Sequence, residues 1–587
     1  MSEKGTSAGF WSDSDRGSKG SGNAGFTQYT IWTIFFCLPF IYMQFLLGQY
    51  TQLGTILFKY LSPIGHGVAY VLISNLFLKT LRNSLLLNDS VVYFMSSFRR
   101  ELQWTNCSPV YKIPCWDHNK KCKNCINSTY YMPGYIYFFF HYLEEPEIDP
   151  VNMSFSVPTL RKSIAHLVCW VFTSIVLMLA TSNYVRAIKV IWQICIILLF
   201  LLILGCAVPD GKNSFLDLFV IGADSMTDVS TWSHTLNKAV TLFGLGRAFH
   251  FVHGSLIAHN SSVGLLSITV VTIHFVLTCA GSILAIASVN KIAYNTNTDR
   301  DHLTDISWAT SLNTYFYVLP QGLGFMGIPQ LWSIVYFGIC ILVNLNQQIT
   351  HFIMIEKSLT DIYPNLLRYR KYVLSFFCLF SCMVSYLFLS RESFLIYKAV
   401  CYRMSDSNEM FNVVIMCILV CWIYGVQRFC DDIHFLTGKR TTKFWKICWY
   451  ILPVIAMAAH GENVMMQLQS TTNDKIRRMD LLLYLLFLSP VPIMAAFQGF
   501  RFMRKRNLFG LLQPQERFGP PDRFERHLRR LFNPRKEVRS KRRAHICQHP
   551  CLIQTQELKT IIEEEVVNRG ELLSKLTEDY ESDESEY

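Results

Sequence analysis

Eleven stretches of this chain are apolar over about twenty residues each, the length an α-helix needs to cross the hydrocarbon core of a bilayer. They fall near 27–47, 66–97, 165–182, 188–208, 237–258, 264–289, 326–354, 372–391, 410–427, 444–461 and 479–500. Runs of this kind need lipid rather than a larger core. Only 16% of the 587 residues are charged, against about a quarter in water-soluble chains. Within lipid every backbone N–H and C=O must be satisfied inside the protein, which for isolated runs means helix. The expected fold class is an all-α polytopic membrane protein with about eleven spans and the lipid bilayer as its first partner.

The net charge of +12 is not a nucleic-acid signal once it is located. Residues 501–545 carry fifteen Lys and Arg against four Asp and Glu, and 557–587 carry eleven acids against three bases. Three regions result: a polar segment 1–25 without the features of a cleavable signal peptide, a membrane domain 26–500, and a tail 501–587 that is basic and then acidic. The basic part has the composition of a segment that meets anionic headgroups or simply flanks a span. Leu558, Ile561, Ile562, Val566, Leu572 and Leu573 follow a helical spacing within the tail.

Two features orient the spans. Asn127 and Asn152 head glycosylation sequons in the longest loop, 98–163, which suits an external face. Arg368, Arg370 and Lys371, then Lys439, Arg440, Lys443 and Lys446, lie in short loops on the other side together with the tail. Positive-inside logic makes that side, and the carboxy terminus, cytoplasmic. It also puts the amino terminus outside. Cys107, Cys115, Cys122 and Cys125 lie in the external loop and suggest one or two disulfides. Cys122-Lys-Asn-Cys125 has the spacing of half a zinc site, with no second half following it.

Several segments resemble the neurotransmitter:sodium symporter family. Leu46-Leu-Gly-Gln-Tyr-Thr51 is similar to the signature ending that family's second helix. Ser96-Ser-Phe98 with Trp104-Thr-Asn-Cys107 resembles the entry to its glycosylated loop. Ile423-Tyr-Gly-Val-Gln-Arg-Phe-Cys-Asp-Asp-Ile433 with Phe444-Trp-Lys-Ile-Cys-Trp449 resembles the link between its tenth and eleventh helices. The resemblance covers roughly 24–500. It implies the inverted-repeat transporter fold with a site at mid-membrane, an amine or amino-acid-like solute, sodium and chloride as coupling ions with no organic cofactor, the plasma membrane, and a Cys107–Cys115 disulfide.

The resemblance begins at Gly22-Asn-Ala-Gly-Phe26, the segment that follows the family's first helix, with only Met1–Ser21 ahead of it. The expectation is a chain lacking that helix, natively or through truncation or splicing. By position, Asn83 replaces the third-helix Tyr over the substrate, and Met416 the tenth-helix Glu of the outer gate. Phe243 and Phe249 keep the sixth-helix aromatics, and Gly244 and Gly246 the small residues of its unwound turn. At the ion sites Tyr29 keeps its identity, Gly244, Ile273 and Leu277 replace the oxygen ligands that hard ions require, and Asn346 and Gln347 offer amide oxygens without negative charge. Sodium is therefore doubtful as a ligand.

Charged groups within spans are expensive and mark function by default. Lys79 and Asn83 share one face of a helix, as do Arg82 and Asp89. Arg247 lies one residue past Gly244-Leu-Gly246, facing the expected cavity, with His250, His253 and His274 nearby in sequence. One reading is an anion or proton-coupled site in which Arg247 grips a carboxylate and the histidines relay protons. The other is a cavity filled by water or internal ion pairs. Three functions follow: a solute transporter with degraded ion coupling, a non-transporting relative serving a membrane-protein partner or trafficking, or an incomplete product. No motif or soluble segment points to an enzyme.

Overall fold

The computed structural model describes residues 24–107, 115, 132–138, 157–207, 227, 229–257, 261–296, 314–390, 393, 405–470 and 474–532. Asn127, Asn152, Cys122, Cys125 and the tail beyond 532 lie outside them. The regular elements of the described residues are helices joined by short turns and loops, and nine of these helices are long and apolar enough to cross a membrane.

Helix α1 is assembled from Ala24–Trp32, a π-helical turn Thr33–Cys37 and Leu38–Thr51. The wide turn sits just before Pro39, whose ring cannot donate a hydrogen bond and crowds the preceding turn. Trp449 donates Nε1–H to the Pro39 carbonyl oxygen at 3.0 Å. The remaining principal helices are α2 (His66–Ser96), α3 (Leu160–Ala207), α4 (Val229–Phe243), α5 (Phe249–Gly254), α6 (Val263–Thr296), α7 (Pro329–Ile362) and α8 (Arg370–Leu387). Helix α9 runs Ser405–Cys417, a π-helical stretch Ile418–Gly425 and Val426–Thr437. It is followed by α10 (Lys443–Ser470), α11 (Asp474–Leu488), α12 (Pro490–Arg504) and α13 (Arg523–Leu531).

Three expected spans differ from expectation, and each difference has a local cause. Segments 165–182 and 188–208 form one continuous helix, α3, because the intervening residues contain neither Gly nor Pro to stop it. Of this helix Leu160–Leu179 is long enough to span, and Lys189–Gly205 is a shorter apolar piece. Segment 237–258 is interrupted instead: Gly244 (φ +63°) and Ala248 (φ +66°) adopt left-handed backbone and separate α4 from α5.

Helix α2 runs through the centre, against α7, α3, α12, α8 and α9. Its polar residues Asn75, Lys79 and Asn83 recur every fourth position and are all buried, so one stripe of the central helix is polar. The outward faces are the reverse. Leu167, Val171 and Ile175 on α3, Phe376, Leu379 and Met383 on α8, and Ile493, Phe497 and Phe500 on α12 are all exposed. A belt of this kind is stable only against lipid. Helices α1 and α5 meet at backbone contact: a Cβ on Gly48 would lie 2.0 Å from the Phe251 carbonyl oxygen, and one on Gly254 2.5 Å from that of Phe45. Small residues permit this approach where lipid offers no hydrophobic drive to association.

Candidate functional site

The break between α4 and α5 frees backbone carbonyls in the protein interior, where each must find a donor. Gln44 on α1 donates Nε2–H to the Leu245 oxygen at 2.8 Å. Asn412 on α9 and Asn75 on α2 donate to the Gly246 oxygen at 3.0 and 3.5 Å. Three helices thus hold one unwound turn open. Gly246 packs so tightly on α9 that a Cβ would lie 2.2 Å from the Glu409 carbonyl oxygen.

A buried ion cluster lies on the same turn. Glu409 Oε1 accepts from Lys79 Nζ at 2.8 Å and from Arg247 Nε at 2.5 Å, with the Glu409 side chain wholly buried. Arg247 Nη2 also donates to the Thr241 carbonyl oxygen at 2.9 Å. Of the two sequence readings of Arg247, a grip on a solute carboxylate in an open cavity and an internal ion pair, the structure forms the second. The structure gives it an internal carboxylate, because the turn projects it toward α9 rather than into free space. Glu409 is the main residue that reading missed. It stands one position before the expected span and seven before Met416, two turns along the same face. The signal available was two intramembrane cations on different helices with no acid assigned to either.

Tyr29 lies between the rings of Phe243 and Phe275, with centroids 6.2 and 6.0 Å away, and donates its hydroxyl to Thr278 Oγ1 at 3.3 Å. Phe243 contacts the His274 ring at 4.3 Å. The face of α6 turned to Tyr29 therefore carries His274, Phe275 and Thr278. Ile273 points outward and is half exposed, and Leu277 is only partly buried. Helix α7 shows a similar offset: Asn346 and Gln348 are buried, and Gln347 is exposed. Asn83 does not face open space either, since its Nδ2 donates to the Asn344 carbonyl oxygen at 2.5 Å and to Gln348 Oε1 at 3.0 Å. The Oδ1 of Asn346 is buried without a hydrogen-bond partner among the described residues.

Phe249 is on a different side from Phe243, against the rings of His253 (4.4 Å) and His250 (5.2 Å). His253 Nδ1 lies 3.0 Å from the Phe249 carbonyl oxygen. His250 is buried, stacks on Phe45, and has no hydrogen-bond partner at either ring nitrogen among the described residues. Cys107 and Cys115 are joined in a disulfide.

A model described as the Sodium:neurotransmitter symporter family matches residues 11–505. The chain is 22% identical over 448 residues to the "Sodium- and chloride-dependent GABA transporter ine" of Drosophila melanogaster, covering 74% of this chain and 46% of that protein. It is 20% identical over 448 residues to the "Sodium-dependent dopamine transporter" of Bos taurus, covering 73% and 62% respectively. It is 23% identical over 464 residues to the "Sodium-dependent serotonin transporter" of Drosophila melanogaster, covering 74% and 70%. The chain thus spans between about half and seven-tenths of the length of these relatives. With its apolar helices and a family match across most of its length, this chain is an integral membrane protein and belongs to the sodium:neurotransmitter symporter family.

Proposed function

We propose that the protein is a secondary transporter for a small amine or amino-acid-like solute, working in the plasma membrane with its carboxy terminus in the cytoplasm. The observation that carries this reading is the α4–α5 break. A buried unwound turn, supported by side chains from α1, α2 and α9, has no structural purpose that a continuous helix would not serve better. The named relatives are transporters of GABA, dopamine and serotonin, which supports a solute of that size.

Ion coupling differs from the family's pattern in this proposal. Asn346 supplies a neutral amide oxygen, while Gln347 and Ile273 face outward. Lys79, one turn from Asn83 on the same face of α2, adds a positive charge that disfavours a second cation nearby. The reading to set beside it is a non-transporting membrane partner, supported by the self-paired cluster of Lys79, Arg247 and Glu409. Radiolabelled uptake of an amine and amino-acid panel, in cells with surface expression verified by glycosylation shift, separates the two. Uptake that changes by less than about twofold when sodium or chloride is replaced is the expected result. Full dependence on sodium would reject the altered coupling, and surface protein with no uptake would reject transport.

A further inference from the structure

The lipid-facing stripe of α12 ends in charge. Arg501 and Arg504 stand four residues beyond Phe497 and Phe500, on the same face of the helix, and both are exposed. Lys505 and Arg506 follow and are exposed as well, and no Asp or Glu occurs between Asp480 and Glu516. The chain then reverses. Arg506 adopts left-handed backbone (φ +52°), and the Asn507 N–H donates back to the Phe502 carbonyl oxygen at 3.1 Å. The short 3-10 helix Leu508–Leu511 returns against α12, where a Cβ on Gly510 would lie 2.9 Å from a ring carbon of Phe502. It presents Phe509, 83% exposed, with Leu508 and Leu512 exposed beside it. The turn is fixed in place by the connection between α1 and α2: Ser62 donates Oγ–H to the Leu511 carbonyl oxygen at 2.9 Å, and the Gln515 N–H donates to the Tyr60 carbonyl oxygen at 2.8 Å. The same connection supplies Lys59. Burial lowers the pKa of its ammonium, and the charges of Arg501 and Arg517 lower it further. Segments far apart in sequence thus gather like charges beside a bare apolar turn.

We propose that residues 501–512, together with Lys59, form a binding site for an anionic phospholipid. Arg501, Arg504 and Lys505 take the headgroup phosphate, and Phe509, Leu508 and Leu512 enter the acyl region beside it. A free anion would satisfy the cations and leave Phe509 in water, whereas a lipid covers both, by burial of apolar area together with charge attraction. The turn lies directly past the belt of Ile493, Phe497 and Phe500, so the membrane that covers the belt also reaches the turn. The choice of leaflet rests on the cytoplasmic carboxy terminus proposed above, since the cytoplasmic leaflet is the one that carries anionic lipid. Because the turn is bonded to Tyr60 and Ser62, the bound lipid is held against the α1–α2 connection and not along one helix alone.

The test is thermal unfolding of the purified full chain in detergent, titrated with phosphatidylserine, phosphatidylcholine or inorganic phosphate at equal ionic strength. The wild type is expected to show a saturable upward shift with phosphatidylserine that exceeds the shift with either of the others. Each cation near an anionic surface strengthens attraction about fivefold. The triple variant Arg501→Gln, Arg504→Gln and Lys505→Gln should therefore raise the phosphatidylserine concentration at half-shift by about tenfold or more. Lys439→Gln with Arg440→Gln, which removes two exposed cations from another loop, should leave it unchanged. Phe509→Ser, which keeps every cation, should weaken the phosphatidylserine response. An equal shift with phosphatidylcholine, an equal shift with inorganic phosphate, or an unchanged titration in the triple variant would overturn the proposal. So would a loss in the Lys439 and Arg440 variant as large as in the triple variant, because net charge alone would then explain it. If the triple variant does not fold, Phe509→Ser against the wild type decides alone. The readout needs neither transport nor a leaflet, so its failure and the failure of uptake are told apart.

Discussion

Arg529 on α13 places its Nε 2.7 Å from Oδ1 of Asp432 on α9, joining the last described helix to the end of a membrane span. Tyr50 donates to the same carboxylate at 3.1 Å and Tyr424 at 2.5 Å, so helices α1, α9 and α13 meet on one buried acid. Phe518 packs edge-on against both tyrosine rings, and Phe532 against His434 and Phe435. Burial works against the Arg529 charge, but the charge and hydrogen bond of Asp432 together with Tyr50 and Tyr424 outweigh it and raise the guanidinium pKa above its ordinary value. Breaking a buried pair by removing one partner costs about 3–5 kcal/mol. Arg529→Ala should therefore release α13, seen as at least a tenfold faster protease cut between α12 and α13. An unchanged cleavage rate would show that Phe518 and Phe532 hold the segment without the ion pair.

Gly48 tests the backbone contact between α1 and α5. Gly48→Ala puts a methyl group onto the Phe251 carbonyl, and overpacking costs about 1–3 kcal/mol or more. Surface expression and thermal stability should both fall. Gly281→Ala is the matched control, since nothing lies within 4 Å of its added Cβ, and it should behave as the wild type.

Gln44 tests whether the unwound turn depends on its donors. In Gln44→Leu the buried Leu245 carbonyl loses its hydrogen bond, a penalty of about 1–3 kcal/mol. A melting temperature equal to the wild type's would mean that another donor reaches that carbonyl.

The Lys79–Glu409 contact predicts strong coupling in a double-mutant cycle. Lys79→Met and Glu409→Leu should each destabilise the protein, while the pair together costs less than the sum by about 0.5–3 kcal/mol. Additive losses would show that the two groups do not interact in the folded protein.

Much of the fold was legible because its cause is local. An apolar run of twenty residues that faces lipid has to be helical, and Leu46–Thr51 and Ile423–Ile433 carry enough identity to mark the family. The continuity of α3 was legible in principle too, since no residue between its halves can break a helix. The site was legible only in part. Gly244 and Gly246 marked the turn, but the face of α6 turned to Tyr29 carries His274 and Thr278, where alignment pointed to Ile273 and Leu277.

What the sequence determined by itself is therefore the membrane class, most of the spans, the family and the place where a helix breaks. Tertiary structure alone decided the partners. Spacing along one helix offered Asn83 to Lys79, whereas the acid that binds Lys79 lies 330 residues further on, in Glu409. A charge in a low-dielectric interior is neutralised by whatever group the packing of distant helices brings to it. No periodicity within a segment records which group that is.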